Sequence, residues 1–220
     1  MSVVSYYFML FIFYSFIGWL IEVIGAAYNT KKFVDRGFLI GPYCPIYGFS
    51  GLFIILTLER YINDPVVLFI IIVVVASIIE YTTSYLMEKI FKARWWDYYH
   101  MTFNINGRIC LEFSVLFGVL GLACVYLVNP FLSNFLIDNQ GIFLSILSYT
   151  LLFLFILDVF ISLNVVSRIQ LTAEAIKRDY TEEITEKVKE ILFKKSYLAR
   201  RLLKAFPHFK PLNIKIKIRK

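Results

Sequence analysis

Glu22, Glu80, Glu88, Glu112 and Asp158 stand within or at the ends of long apolar stretches. An ionisable side chain is costly there, so each marks a pathway, a pairing or a binding site. Their spacing adds to this. Glu80, Ser84 and Glu88 recur at successive i+4 positions and form one polar stripe along a helix. Ser15, Gly18, Glu22 and Gly25 form a small-residue face carrying a carboxylate, the kind of face that admits a neighbouring helix closely. Arg108 and Glu112 lie one turn apart, followed by a second close-packing face at Ser114, Gly118 and Gly121, and Ser162 lies one turn after Asp158. Two readings stay open. In one, the acids pair with Arg36, Arg94 and Arg108 and tie helices to loops. In the other, they line a polar cavity that takes a cation, a proton or a polar substrate. The second predicts that Glu22 and Glu80 face one another at one depth, roofed by residues 36–48 and flanked by Arg108. Two carboxylates in a poorly hydrated site repel unless a cation or an arginine joins them.

The candidate polar site comprises Glu22, Arg36, Cys44, Tyr47, Glu80, Ser84, Glu88, Asp97, Asn104, Arg108 and Glu112. No catalytic, metal-binding or cofactor-binding residue is assigned. The sequence contains no G-x-x-x-x-G-K-[ST], H-E-x-x-H or G-x-S-x-G motif, and its only histidines, His100 and His208, are expected at the surface. An intramembrane carboxylate enzyme acting on lipid is the third class of reading.

The elements that must position these residues follow from composition. Apolar residues make up 59% of the 220, with 22 Phe and only 18% charge, which excludes an ordinary water-soluble domain. The fold class is all-α: a polytopic membrane protein with about five transmembrane helices, at residues 3–27, 46–62, 66–87, 109–128 and 142–163. The second is short, about 25 Å at 1.5 Å per residue, and a re-entrant segment is the competing reading. Charge favours the span. With five crossings, Lys31, Lys32, Arg36, Lys89, Lys92, Arg94, Arg108 and the whole tail share one side and only Arg60 lies opposite, in line with the cytoplasmic excess of Lys and Arg. This predicts a multi-pass cell-membrane protein with its N-terminus outside, its C-terminus cytoplasmic, and a first helix kept as an anchor. Cys44, Cys110 and Cys124 offer no disulfide framework; a redox pair or thiolate site between Cys44 and Cys110 is weighed against small buried hydrophobes.

Two stretches on the expected cytoplasmic side are unusual. "DRGFLIGPYCPIYG" (35–48) carries three glycines and two prolines. Its apolar residues predict a rigid, irregular loop folded back among the helices, a backbone tolerated at membrane depth only in protein or beside an aqueous cavity. "RWWDYYHMTFNINGRICLEF" (94–113) has aromatic residues suited to the headgroup level, with Asp97, Asn104, Asn106 and Arg108 among them. With "GWLIEV" (18–23), "EYTTSYLMEKIF" (80–91), "RWWDY" (94–98) and "NINGRICL" (104–111), these stretches resemble the bacterial CmpB-like family labelled "Putative ABC-transporter type IV" over residues 11–121. Tyr99 replaces the serine expected after "WWDY". The resemblance implies a permease or permease subunit whose ATPase is a separate chain. It carries over no substrate or catalytic residue.

The chain divides into a transmembrane domain (1–163) and a basic tail (164–220). Fifteen Lys and Arg against six acids give the tail +9, while eight against ten give the rest −2. Apolar residues recurring by threes and fours over 165–206 predict an amphipathic cytoplasmic helix, with a break near 179–181. The basic cluster suits an anionic inner leaflet at about 1 kcal/mol per residue near the surface, and makes no case for nucleic acid. Self-association through the tail is the second use of such a helix. The function expected is therefore transport, as a permease or permease subunit. The alternative is a membrane scaffold or regulator acting through its tail.

Overall fold

The computed structural model describes residues 1–176, 197–206 and 210–211, and within them the chain is mostly helical. Four helical stretches are long and apolar enough to cross a membrane: α1 (Val3–Thr30), α3 (Pro65–Phe91), the run Leu111–Asp138, and α6 (Ile142–Ile176). This makes the chain a multi-pass membrane protein. The second expected span, 46–62, is a shorter apolar helix, α2 (Pro45–Thr57), followed by a 3₁₀ turn at Glu59–Tyr61. Its 13 residues reach only about 20 Å, less than the roughly 30 Å of a hydrocarbon layer.

Capping accounts for several ends. Ser2 and Asp64 accept the Ser5 and Val67 amides at 3.1 Å each, opening α1 and α3. Lys31 and Lys92, both at positive φ, close the same helices. The run 111–138 extends ten residues beyond the end expected from the sequence, because Asn129-Pro130 does not terminate it. Instead α4 (Leu111–Ala123) passes through a π-helical turn at Cys124–Val128 into α5 (Asn129–Asp138). The wider turn makes room for a proline ring that would clash with the carbonyl four residues earlier. Helix α6 likewise runs past Leu163 to Ile176, which puts Asp158 near its middle and not close to its end.

Small residues set the packing. The face Ser15, Gly18 lies against α2: a side chain at Gly18 would overlap the Tyr47 ring, and one at Gly48 would overlap Ser15 and Phe11. Ser114, Gly118 and Gly121 lie buried against α3, where Ser77 Oγ and Ser114 Oγ are 2.8 Å apart and a side chain at either glycine would meet Phe69, Ile72 or Val73. Gly25, the last member of the α1 face, meets nothing. At one end of the bundle Met9, Leu10, Tyr14, Leu132, Leu136 and Leu144 form a core, crossed by a Tyr14 Oη to Asn129 Oδ1 hydrogen bond of 2.6 Å.

The amphipathic tail helix expected over 165–206 falls partly outside the described residues. Within them, a nine-residue tail helix (Tyr197–Ala205) packs onto the membrane domain through Leu202 and Ala205. A two-residue strand, β1 (Ala93–Arg94), pairs antiparallel with residues 210–211. His208 lies outside the described residues.

Candidate functional site

The loop between α1 and α2 does fold back among the helices. Leu39 and Cys44 are buried, and the Cys44 amide donates to the Ser15 carbonyl at 2.9 Å, halfway along α1. Asp158 secures this backbone, accepting the amides of Ile40 (2.9 Å) and Gly41 (2.7 Å) and the hydroxyls of Tyr43 (2.5 Å) and Ser162 (2.9 Å). Unpaired amides at that depth would be costly, and one carboxylate satisfies two of them. On the other side of the loop, Trp19 Nε1 and the Gly37 amide donate to Asp35 Oδ1 at 2.8 and 3.1 Å, and the tail's Arg201 binds Asp35 Oδ2 at 2.5 Å.

The loop between α3 and α4 forms a second scaffold. Strands β2 (Asn104–Ile105) and β3 (Ile109–Cys110) make a minimal hairpin whose turn places Asn106 (φ 54°) and Gly107 (φ 66°) in left-handed geometry, with the Arg108 amide donating to Ile105 O at 3.0 Å. Left-handed geometry at two successive residues is what an Asn-Gly pair favours. Asn104 fixes the loop internally, donating to Met101 O at 2.8 Å and accepting the Gly107 amide at 3.0 Å. The hairpin delivers Arg108, buried, onto α3. Its Nη1 lies 2.8 Å from Glu88 Oε2 and 3.3 Å from Ser84 Oγ, and its guanidinium sits 5.6 Å from the rings of both Tyr81 and Tyr85. Arg94 Nε reaches the same Glu88 oxygen at 3.2 Å, and its Nη1 lies 3.5 Å from Asp97. Lower on the stripe, therefore, acids and arginines pair.

Higher up the arrangement differs. Tyr47 Oη donates to Glu22 Oε1 at 2.7 Å, and Arg36 Nε lies 3.8 Å from Glu22 Oε2. Tyr98 Oη donates to Glu80 Oε1 at 3.2 Å. Glu80 is 5% exposed, and its Oε2 has no hydrogen-bond partner among the described residues. Glu22 and Glu80 are within electrostatic reach of each other. Burial first, then the carboxylates of Glu80 and Glu22, hold the Tyr98 phenol well above its usual value, so it stays a donor.

Of the residues singled out from sequence, Glu22, Arg36 and Tyr47 thus form one group, Glu80 with Tyr98 a second beside it, and Ser84, Glu88, Asp97 and Arg108 a paired network. Asn104 supports the hairpin. Cys44 and Cys110 are free, buried thiols, and no cluster of three or more metal-ligating side chains occurs among the described residues. Glu112 is exposed in the first turn of α4, apart from these groups, and Arg108 serves Glu88, not Glu80. Three contributors lie outside the set drawn from the sequence: Tyr98, expected as an interfacial aromatic, Asp158, and Arg201, one cation among the fifteen of the tail. The Asn-Gly pair before Arg108 is the sequence signal that could have placed the hairpin.

Comparison with curated proteins and with solved structures returns no match. The family described as "Putative ABC-transporter type IV" matches residues 9–163, which takes in both loops described above and most of α1 and α6. A match over more than half of the chain, carried by the helices and loops that build both carboxylate groups, places this chain in the Putative ABC-transporter type IV family.

Proposed function

We propose that the chain is a permease or permease subunit in which Glu22 and Glu80, held by Tyr47 and Tyr98, bind a proton or small cation near the cytoplasmic face. The observation that carries this reading is the bare Oε2 of Glu80: a buried carboxylate oxygen without a donor among the described residues, within electrostatic reach of a second carboxylate. Of the nearby arginines, only Arg36 meets the pair, at Glu22, and none reaches Glu80 among the described residues. Arg94 and Arg108 converge on Glu88, and Arg36 Nη1 donates to Ala205 O at 2.6 Å while its Nε stands 3.8 Å from Glu22. An unsatisfied buried carboxylate oxygen costs free energy, which a proton or cation held on it would offset.

The second segment, on this reading, crosses the bilayer as irregular loop followed by short helix. Cys44 and Tyr47 pack beside Ser15 and Gly18 midway along α1, and Leu52 and Ile55 reach the core near Met9. The loop thus covers the half of the membrane that α2 is too short to span. Broken spans of this kind bring backbone groups and side chains to a site at membrane depth. ATP hydrolysis, where it drives transport, belongs to another chain.

The test is flux in sealed vesicles containing the purified protein and an internal pH- or cation-sensitive dye. Wild type and Glu112→Gln should pass protons or alkali cations, and Glu80→Gln should lose most of that flux while remaining folded. Equal flux through Glu80→Gln would overturn the assignment of the site.

A further inference from the structure

We propose that the first loop contains a site for a monovalent alkali cation, and that the tail's Arg201 occupies it as a tethered competitor. This site is separate from Glu22 and Glu80 and does not depend on the transport reading. Five oxygens from residues 35–40 converge on the Arg201 guanidinium. Nη1 donates to Asp35 Oδ2 at 2.5 Å and to Ile40 O at 3.3 Å; Nη2 donates to Gly37 O at 3.1 Å, to Phe38 O at 3.4 Å and to Leu39 O. One carboxylate and four backbone carbonyls are a hard-oxygen set of the kind that replaces the hydration shell of an alkali cation. Their single negative charge matches a single positive one.

Two further observations separate this arrangement from an ordinary arginine tie. The loop is held in place by groups other than Arg201: Asp158 fixes the Ile40 and Gly41 amides, while Trp19 and the Gly37 amide fix Asp35. The cage is therefore built into the loop. The guanidinium also fits it poorly. A planar fork with five N–H donors is best served by partners spread around its edge. Here Nη2 is shared among three carbonyls, while Nε is buried without a partner among the described residues. A spherical ion has no such directional demand. Because the competitor belongs to the same chain, its local concentration is high, and tail docking and ion binding exclude one another. The same helix meets the loop again at Arg36, whose Nη1 donates to Ala205 O, so displacement of Arg201 removes one of the ties that hold the tail helix on the loop.

The experiment uses the full-length protein in lipid nanodiscs and follows its melting temperature in KCl, NaCl and choline chloride at equal ionic strength, so that screening is matched. Arg201→Gln should melt lower than wild type in choline and recover in KCl or NaCl with a saturable rise of roughly 5–10 °C at about a hundred times the dissociation constant. Adding Asp35→Asn should abolish that recovery. A variant that recovers in no salt, recovers equally in choline, or still recovers with Asp35→Asn overturns the site. Should Arg201→Gln give no folded protein, wild type carrying fluorophores at Lys32 and Lys204, both exposed, decides the matter. Separation of the labels by K⁺ or Na⁺ but not by choline supports the proposal, and an identical response to all three overturns it.

Discussion

Glu80 and Glu88 are two turns apart on one helix, yet their surroundings predict opposite responses to the same change. Glu88 Oε2 receives two guanidiniums, so Glu88→Gln leaves Arg94 and Arg108 facing each other without a carboxylate. The loss should be about 2–4 kcal/mol, below that of a fully buried pair because part of the network meets solvent. Glu80→Gln keeps an acceptor for Tyr98 and leaves no arginine without its carboxylate, so it should change stability by about 1 kcal/mol or less. Thermal melts of the two variants in one lipid mixture check the contrast; equal losses would mean that Glu80 is paired like Glu88. The Tyr98 phenol adds a pH dependence, since burial raises it and the carboxylates of Glu80 and Glu22 add to that. A raised group binds its proton more tightly in the folded state. Its contribution is thus intact below the unfolded phenol value of about 10 and is lost as pH climbs beyond it. Stability should therefore fall in the alkaline range above about pH 10, and Tyr98→Phe should flatten that fall. The acids on this stripe were legible in the sequence, since hydrophobic context alone makes a carboxylate conspicuous. Which of them is paired was not, because pairing depends on where the 92–110 loop sends Arg94, Tyr98 and Arg108.

At the scale of elements, small residues decide which helices touch. Gly48→Val would drive a branched side chain into Ser15 and Phe11, and should destabilise by at least the roughly 1–3 kcal/mol typical of overpacking. Gly25→Ala meets open space and should be neutral, or stabilise by up to about 1 kcal/mol through helix propensity. A detergent-resistance assay on both variants distinguishes a packing face from a run of incidental glycines. The face Ser114, Gly118, Gly121 was fully readable from spacing, and the Ser15, Gly18 part of the first face was too. Two features were not. The π-helical turn that carries the helix past Pro130 depends on local widening of the backbone, for which apolar periodicity gives no signal. The end of α2 was the other: the span expected to Ile62 stops as α-helix at Thr57 and passes into a 3₁₀ turn at Glu59–Tyr61, a change that hydropathy does not mark.

At the scale of the whole molecule, the order of the helices and the placement of charge make one joint prediction. If residues 31–57 cross the bilayer as loop plus α2, then the turn before α3 and the turn between the run Leu111–Asp138 and α6 share a side with the N-terminus. The loops 31–44 and 92–110 then share the other side with the tail helix, whose contacts with Asp35 and Arg36 already place it beside the first loop. The charge asymmetry supports placing that second side in the cytoplasm, because among the described residues every Lys and Arg except Arg60 belongs to it. Single cysteines at Asn63, Asn139, Lys32 and Tyr99, all exposed positions, test both statements in a background lacking Cys44, Cys110 and Cys124. Asn63 and Asn139 should react with an impermeant maleimide in intact cells, and Lys32 and Tyr99 only after permeabilisation. The two halves of the argument fail differently. Reversal of all four sites would overturn the orientation and leave the fold intact. Lys32 and Asn63 reacting from the same side, with Tyr99 opposite to both, would instead mean that α2 turns back within the membrane, so that the loop could not continue through it and the broken-span reading of the second segment would fall.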